Sequence, residues 1–279
     1  MDLRKIKEKA RTQGVSVPLV LKEQLHFLVL EYLFRQGAFS DLVFQGGTAL
    51  RIVYKGVRYS EDLDFVLRRR NSSFFAGFSR ALEGLPSYVD KFIPFGQSIR
   101  LKVQKKTPTF QRLALTMRVD ALNLTERVQI EIAHVPSYEN ETVIVQSEDL
   151  PLTPAIRVET AREILSDKFC AFGSREYVKG RDIWDIHFLL HTLKVIFDRE
   201  VKKTIHRKIS DYGLKEKEFF KGFIRNLSIL EKEGISILKT EMDRFLPSSY
   251  RNLFSEKYPE LCQGVLGALA QFSSEVKRK

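Results

Sequence analysis

The chain has 279 residues, 43% of them hydrophobic and 29% charged, with 46 Lys and Arg against 35 Asp and Glu for a formal charge of +11. That composition excludes a disordered chain, and no apolar run reaches the length of a bilayer span. The basic excess favours an anionic partner, nucleic acid above all, although dispersed positive residues also suit a well-solvated basic surface.

Apolar residues at mostly helical spacing from Val20 to Arg35, closed by Gly37, predict an N-terminal helix. Leu42-Val43-Phe44 reads as a short strand running into Gly46-Gly47, and a helix is expected from Thr48 to Tyr54, before Gly56. Leu63 to Leu67 is the next strand and Ser73 to Leu82 the next helix. Three further strands are expected at Ile99–Val103, Leu113–Val119 and Val128–Ala133. From Val158 onward the texture turns helical with no further strand expected, and Pro151 and Pro154 mark the change. A mixed α/β domain over 1–154 and a helical domain over 155–279 that completes the active site are therefore expected. Cys170 and Cys262 lie in apolar stretches without paired spacing, as buried thiols of a reducing compartment do. With no apolar leader at the start, a cytoplasmic location is expected, without membrane contact.

Chemistry concentrates in Gln45-Gly46-Gly47-Thr48-Ala49-Leu50 and Arg58-Tyr59-Ser60-Glu61-Asp62-Leu63-Asp64-Phe65. Residues two apart on a strand share a face, so Asp62 and Asp64 project together while Leu63 and Phe65 turn to the core. Two adjacent carboxylates repel unless a cation lies between them, and Mg²⁺ (or Mn²⁺) shared with triphosphate oxygens is one solution. An isolated D-x-D is more often the polar face of a half-exposed strand; the neighbouring glycine turn changes that balance. Gly46 and Gly47 free the backbone to approach a phosphate, and the N–H groups near Thr48, with the Thr48 and Ser60 hydroxyls, can donate to it. Helix capping by Thr48 and a turn at Ser60 are the plainer roles. Glu131, on the polar side of Val128–Ala133, is a candidate third metal ligand or base, with Asp120 the weaker competitor.

Positions 164, 165, 168, 171 and 172 share one helical face, apolar except for Lys168, which must snorkel, pair with an anion or reach a ligand. A phosphate is the favoured partner. Arg175, Lys179, Arg181, Asp182 and Asp185 form a charged patch entering an apolar helix from Ile183 to Leu193. Capping explains Asp182, and Asp185 one turn on can orient Lys168, Arg181 or a base. His187 and His191 have zinc-ligand spacing but lack a third ligand and a catalytic Glu, so they are read as core or surface residues.

The ordered set Gly46-Gly47-Thr48-Ala49-Leu50, Arg58-x-Ser60-x-Asp62-Leu63-Asp64-Phe65, Lys168-x-x-Ala171 and Arg181-Asp182-x-x-Asp185 resembles the AbiEii/AbiGii-type nucleotidyltransferases, toxins of abortive-infection and toxin–antitoxin systems. The resemblance implies a nucleotidyltransferase-like α/β (α+β) fold, a mixed sheet flanked by helices with a helical C-terminal region. It implies Mg²⁺-dependent transfer of a nucleotidyl group from a nucleoside triphosphate to RNA, the tRNA 3′ end in studied relatives, and a cognate antitoxin as partner. Asp62 and Asp64 would hold metal, Ser60 and Gly47 would contact phosphate, Lys168 would bind triphosphate, and Asp182 or Asp185 would complete the site. Gly46, Thr48, Arg58 and Arg181 fall in the same motifs and are placed with the nucleotide. Position 51 is Arg, where many relatives carry Lys. A silent nucleotide- or RNA-binding module and a metal-dependent nuclease are the alternatives. The adjacent carboxylates argue against the first and the glycine turn against the second.

Overall fold

A computed structural model describes residues 2–71, 74–95, 98–147 and 152–276. The chain forms two compact units, Met1–Lys55 with Tyr59–Glu159, and Gly56–Arg58 with Thr160–Lys279.

The first unit is built on a seven-stranded mixed sheet of order β3-β4-β5-β2-β1-β7-β6. Its strands are β1 (Leu42–Gln45), β2 (Leu63–Leu67), β3 (Ser98–Lys106), β4 (Phe110–Val119), β5 (Leu124–Pro136), β6 (Asn140–Ile144) and β7 (Ala155–Glu159). β2 runs parallel to β5 and β1 parallel to β7; the remaining pairs are antiparallel. Helices α1 (Leu3–Gln13), α2 (Val17–Arg35), α3 (Gly46–Ile52), α4 (Phe74–Ala81) and α5 (Leu85–Phe92) complete the unit. α2 is buried along most of its length, with Leu21, Leu25, Leu28, Val29 and Leu30 fully inside. Its Glu23 and His26 are also inside, so burial obliges each to find a partner.

The second unit is helical: α6 (Ala161–Ser174), α7 (Gly180–His187), a π-helical turn (Phe188–Thr192), α8 (Arg199–Asp211), α9 (Glu216–Phe245), α10 (Ser248–Phe254) and α11 (Tyr258–Val276). α9 packs against α6, α7 and α11. The core is aromatic: Phe223 on α9 meets Phe172 at 5.2 Å, Phe272 at 5.4 Å and Phe169 at 6.3 Å between ring centroids. α6 and α9 approach so closely that a Cβ at Gly222 would lie 2.4 Å from the Gly173 carbonyl oxygen. Buried Asn226 donates from Nδ2 to the Phe172 and Arg175 carbonyls at 2.6 and 3.0 Å, satisfying acceptors that the end of α6 leaves open. Among the described residues no helix is long and apolar enough to cross a membrane.

Several expectations are corrected. Strands β6 and β7 had no counterpart in the sequence reading; β6 is short, polar and largely exposed, and β7 begins where helix was expected. Because β7 bonds to β1 and β6, the first unit runs to Glu159 rather than ending at 154. α1 and α5 were also missed, and α3 starts at Gly46 rather than Thr48. The helix expected from Ile183 to Leu193 instead starts at Gly180 and passes into the π-helical turn after His187. Ser73 and Pro151 lie outside the described residues.

Candidate active site

In the first unit the glycine turn and the Asp64 carboxylate meet directly. β1 leads into Gly46, whose φ of +78° is in the left-handed region, and a Cβ built there would lie 2.6 Å from Asp64 Oδ2. Glycine is thus required twice, by its backbone conformation and by the carboxylate against it. The Thr48 hydroxyl, buried in α3, donates to the Asp62 carbonyl and ties the turn to the segment before β2. Asp62 precedes β2 and Asp64 lies within it; both are half-buried, while Leu63 and Phe65 are inside. Ser60 is buried.

Strand register places Glu131 of β5 beside Asp64, Gln45 of β1 on its other side, and Arg112 of β4 beyond Glu131. A polar row Gln45–Asp64–Glu131–Arg112 therefore crosses four strands on one face. Arg112 Nε donates to Glu131 Oε1 at 2.8 Å. Asp120, the weaker competitor, sits in the 3₁₀ turn after β4 and pairs with Arg118 at 2.5 Å. The paired strands thus bring Glu131, and not Asp120, beside Asp64.

A charge network on α1 and α2 holds the Tyr59–Asp62 segment. His26 Nε2 lies 3.0 Å from the Glu61 carbonyl, and Lys22 pairs with Glu61 at 3.1 Å and Glu126 at 3.4 Å. Burial pushes the His26 pKa down to about 4, so the ring is neutral and donates this bond. Glu23 bonds Arg51 at 2.7 Å and Lys9 at 3.0 Å. Burial alone would raise the Glu23 pKa, but Arg51 and Lys9 outweigh it and hold it below the usual value. The Arg51 guanidinium in turn covers the Tyr59 ring at 4.1 Å, and the Tyr59 hydroxyl donates to Gln13. The sequence reading missed Glu23, His26 and Lys22; the local signal was the polar run Lys22-Glu23-Gln24 and His26 on a helix apolar enough to be buried.

In the second unit, Lys168 lies 2.7 Å from Asp185 Oδ2 and 3.1 Å from Asp182 Oδ1. Arg58 makes a two-point contact with the same Asp185, Nε to Oδ1 at 2.9 Å and Nη2 to Oδ2 at 2.8 Å. Arg175 reaches Asp182 Oδ2 at 3.0 Å. Burial lowers the Lys168 pKa, but Asp185 and Asp182 outweigh it and raise the pKa above the usual lysine value, so the ammonium stays charged. Burial likewise raises Asp182, yet Lys168 and Arg175 hold it below the usual carboxylate range. Three cations and two carboxylates make a cluster of net charge +1. Arg181 is turned elsewhere: its backbone N–H donates to Glu241 at 2.9 Å and its guanidinium lies 5.2 Å from the Phe245 ring.

The carboxylates of the first unit have the donor chemistry of a hard divalent cation: Asp62, Asp64 and Glu131 offer only oxygen, and the Gly46 backbone leaves room against Asp64 that any side chain would fill. The three do not bring their ligand atoms within 4.8 Å of one another, however, and Glu131 is paired with Arg112. Among the described residues the three carboxylates that do gather so closely are Glu159, Glu163 and Asp167, to which the sequence reading gave no ion-binding role.

Comparison with known proteins agrees with this fold. The family model described as nucleotidyl transferase AbiEii toxin, type IV TA system, matches residues 28–260. Among solved structures, a candidate nucleotidyltransferase from H. pylori superposes with TM-score 0.56 at 18% identity, covering 95% of this chain and 98% of that one. JHP933 from Helicobacter pylori gives TM-score 0.53 at 20% identity with the same coverages, 95% and 98%. No curated protein is a significant match by sequence.

Proposed function

The chain belongs to the AbiEii nucleotidyl transferase toxin family, and from that premise we propose that it moves a nucleoside monophosphate from a nucleoside triphosphate to the 3′ end of an RNA, with tRNA as acceptor. Its biological role in this reading is the toxin of a toxin–antitoxin or abortive-infection pair, with a cognate antitoxin as partner. The observation that carries the proposal is the contact of the Asp64 carboxylate with the Gly46 backbone, with Glu131 in register beside it. A phosphate-tolerant turn and oxygen ligands are thereby combined in one small region.

Asp62 and Asp64 would hold Mg²⁺ or Mn²⁺, with Glu131 as the third carboxylate, its orientation set by Arg112. Such ions neutralise charge on the triphosphate and on the attacking and leaving oxygens. The Gly47 backbone and the Ser60 hydroxyl contact phosphate. Thr48 acts through the Asp62 carbonyl, holding the carboxylate segment against the turn. Lys168 is the triphosphate contact of the motif pattern, and Asp182 and Asp185 keep it charged and oriented. Arg58 fixes Asp185 from its other side. In the reaction the acceptor hydroxyl oxygen forms a bond to the α-phosphorus and the bond from that phosphorus to the bridging oxygen breaks. Pyrophosphate leaves, and the hydroxyl proton goes to a carboxylate of the Asp62–Asp64–Glu131 set.

Incubating the protein with Mg²⁺, bulk tRNA and each α-labelled triphosphate in turn tests the proposal. Labelled, lengthened tRNA is expected with at least one triphosphate and is lost in Asp64→Ala. Equal labelling by Asp64→Ala, or shortened RNA, would contradict the assignment.

A further inference from the structure

The face of the sheet that carries Asp64 continues as a basic field toward the β3 edge. Side chains alternate between faces, so strand register assigns each one. On the covered face Leu63, Phe65, Leu113, Leu115, Val128 and Ile130 are all buried. On the other face the row Asp64–Glu131–Arg112 is followed by Gln129–Ala114–Lys102, then Arg127–Thr116–Arg100, then Thr125–Arg118–Ser98. Lys105 pairs with Arg112 across the bulge in β3. Arg100, Lys102, Lys105, Arg118 and Arg127 are exposed, and the Arg112 side chain is 38% exposed.

The opposing charge on this face is small. Glu131 is paired with Arg112 and Asp120 with Arg118. The other carboxylate of β5, Glu126, is of the opposite parity, buried, and paired with Lys22. The Phe110 ring lies 5.5 Å from both the Lys105 ammonium and the Arg112 guanidinium, which holds two of the cations to this surface.

We propose that the exposed face of β3, β4 and β5 is the docking surface for the phosphate backbone of the RNA acceptor, leading its 3′ end to the Asp64 row. The inference rests on the nucleotidyl-transfer reading given above. Cations on the same face of three adjacent strands form a basic patch that matches a polyanion, and the patch is continuous with the carboxylate row through Arg112. Binding is through phosphates and therefore independent of sequence and strongly salt-dependent.

The test compares Arg100→Gln/Lys102→Gln/Arg127→Gln with Lys217→Gln/Lys232→Gln/Lys239→Gln, which removes the same charge from exposed positions of α9. Fluorescently labelled bulk tRNA is titrated into wild type and both variants at several salt concentrations, alongside triphosphate binding and thermal melting. The sheet variant is expected to lose about tenfold or more in tRNA affinity and about two from its log–log salt slope. The α9 variant should stay within about twofold of wild type. Triphosphate binding and melting temperature should be unchanged in both. Equal losses in the two variants, or no loss in the sheet variant, overturn the docking surface and leave nucleotidyl transfer standing. Wild-type protein that neither binds nor labels tRNA overturns the RNA-acceptor reading and the surface with it.

Discussion

Gly46 is the residue on which the proposed site turns, because its φ of +78° and its contact with Asp64 each exclude a side chain. Gly46→Ala should cost about 1–2 kcal/mol from the left-handed backbone alone. It should also displace the Asp64 carboxylate, so activity is expected to fall much further than stability. Melting temperature and labelling rate measured on one preparation separate the two effects; a variant with wild-type activity would show that the contact is dispensable. His26 makes a different prediction. Its folded pKa of about 4 lies below the ordinary 6.5, so the unfolded chain binds the extra proton between those values and stability falls as pH drops through that window. The loss amounts to about 3 kcal/mol when complete. His187, also lowered to about 4 by burial and by His191, adds to the same window. Denaturant unfolding at pH 7 and pH 5 should show a smaller stability difference in His26→Gln than in wild type, and an unchanged difference would contradict the assignment.

At the scale of elements, the buried Lys208 of α8 makes the clearest case. It is fully enclosed, 2.7 Å from Glu163 and 2.9 Å from Asp167 of α6, and the Tyr212 hydroxyl donates to Asp167 at 2.8 Å. Lys208→Met leaves two buried carboxylates without their cation and should destabilise the protein by about 3–5 kcal/mol. Chemical denaturation measures this, and a change under about 1 kcal/mol would mean that the carboxylates find other partners or protonate cheaply. Elements differ in how far they could be read ahead of the structure. β2 was legible to the residue because a five-residue strand, apolar but for Asp64, is bounded by charged residues on both sides. The glycine turn and D-x-D were legible as motifs, yet only the pairing of β2 with β1 and β5 reveals Gln45, Glu131 and Arg112 as neighbours of Asp64. Strand pairing is a long-range property, and nothing local in Phe110–Val119 marks Arg112 for Glu131. β6 and β7 were hidden for another reason: a short polar edge strand carries no alternation, and its partner beside a proline-containing stretch resembles a linker. Lys168 on an apolar face was legible as a cation needing an anion. That its anions are Asp182 and Asp185 follows from the packing of α6 and α7.

For the whole molecule, the +11 charge gave only a weak indication of partner, since it is dispersed along the chain. Folding concentrates part of it on one sheet face while internal ion pairs consume Arg51, Arg58 and Lys208. Net charge therefore overstates what is available to an RNA, and salt sensitivity should follow the sheet-face cations rather than the total. Metal removal acts at the same scale: chelation should abolish labelling, and Mg²⁺ or Mn²⁺ should restore it while Asp62→Ala and Asp64→Ala stay silent. The central claim concerns which phosphorus is transferred, and a comparison of label positions decides it. With tRNA and a triphosphate labelled at the α-phosphate, radioactivity should enter the RNA; with the γ-phosphate labelled, it should appear only in pyrophosphate. Label from the γ-phosphate in RNA, or from neither position, would contradict nucleotidyl transfer.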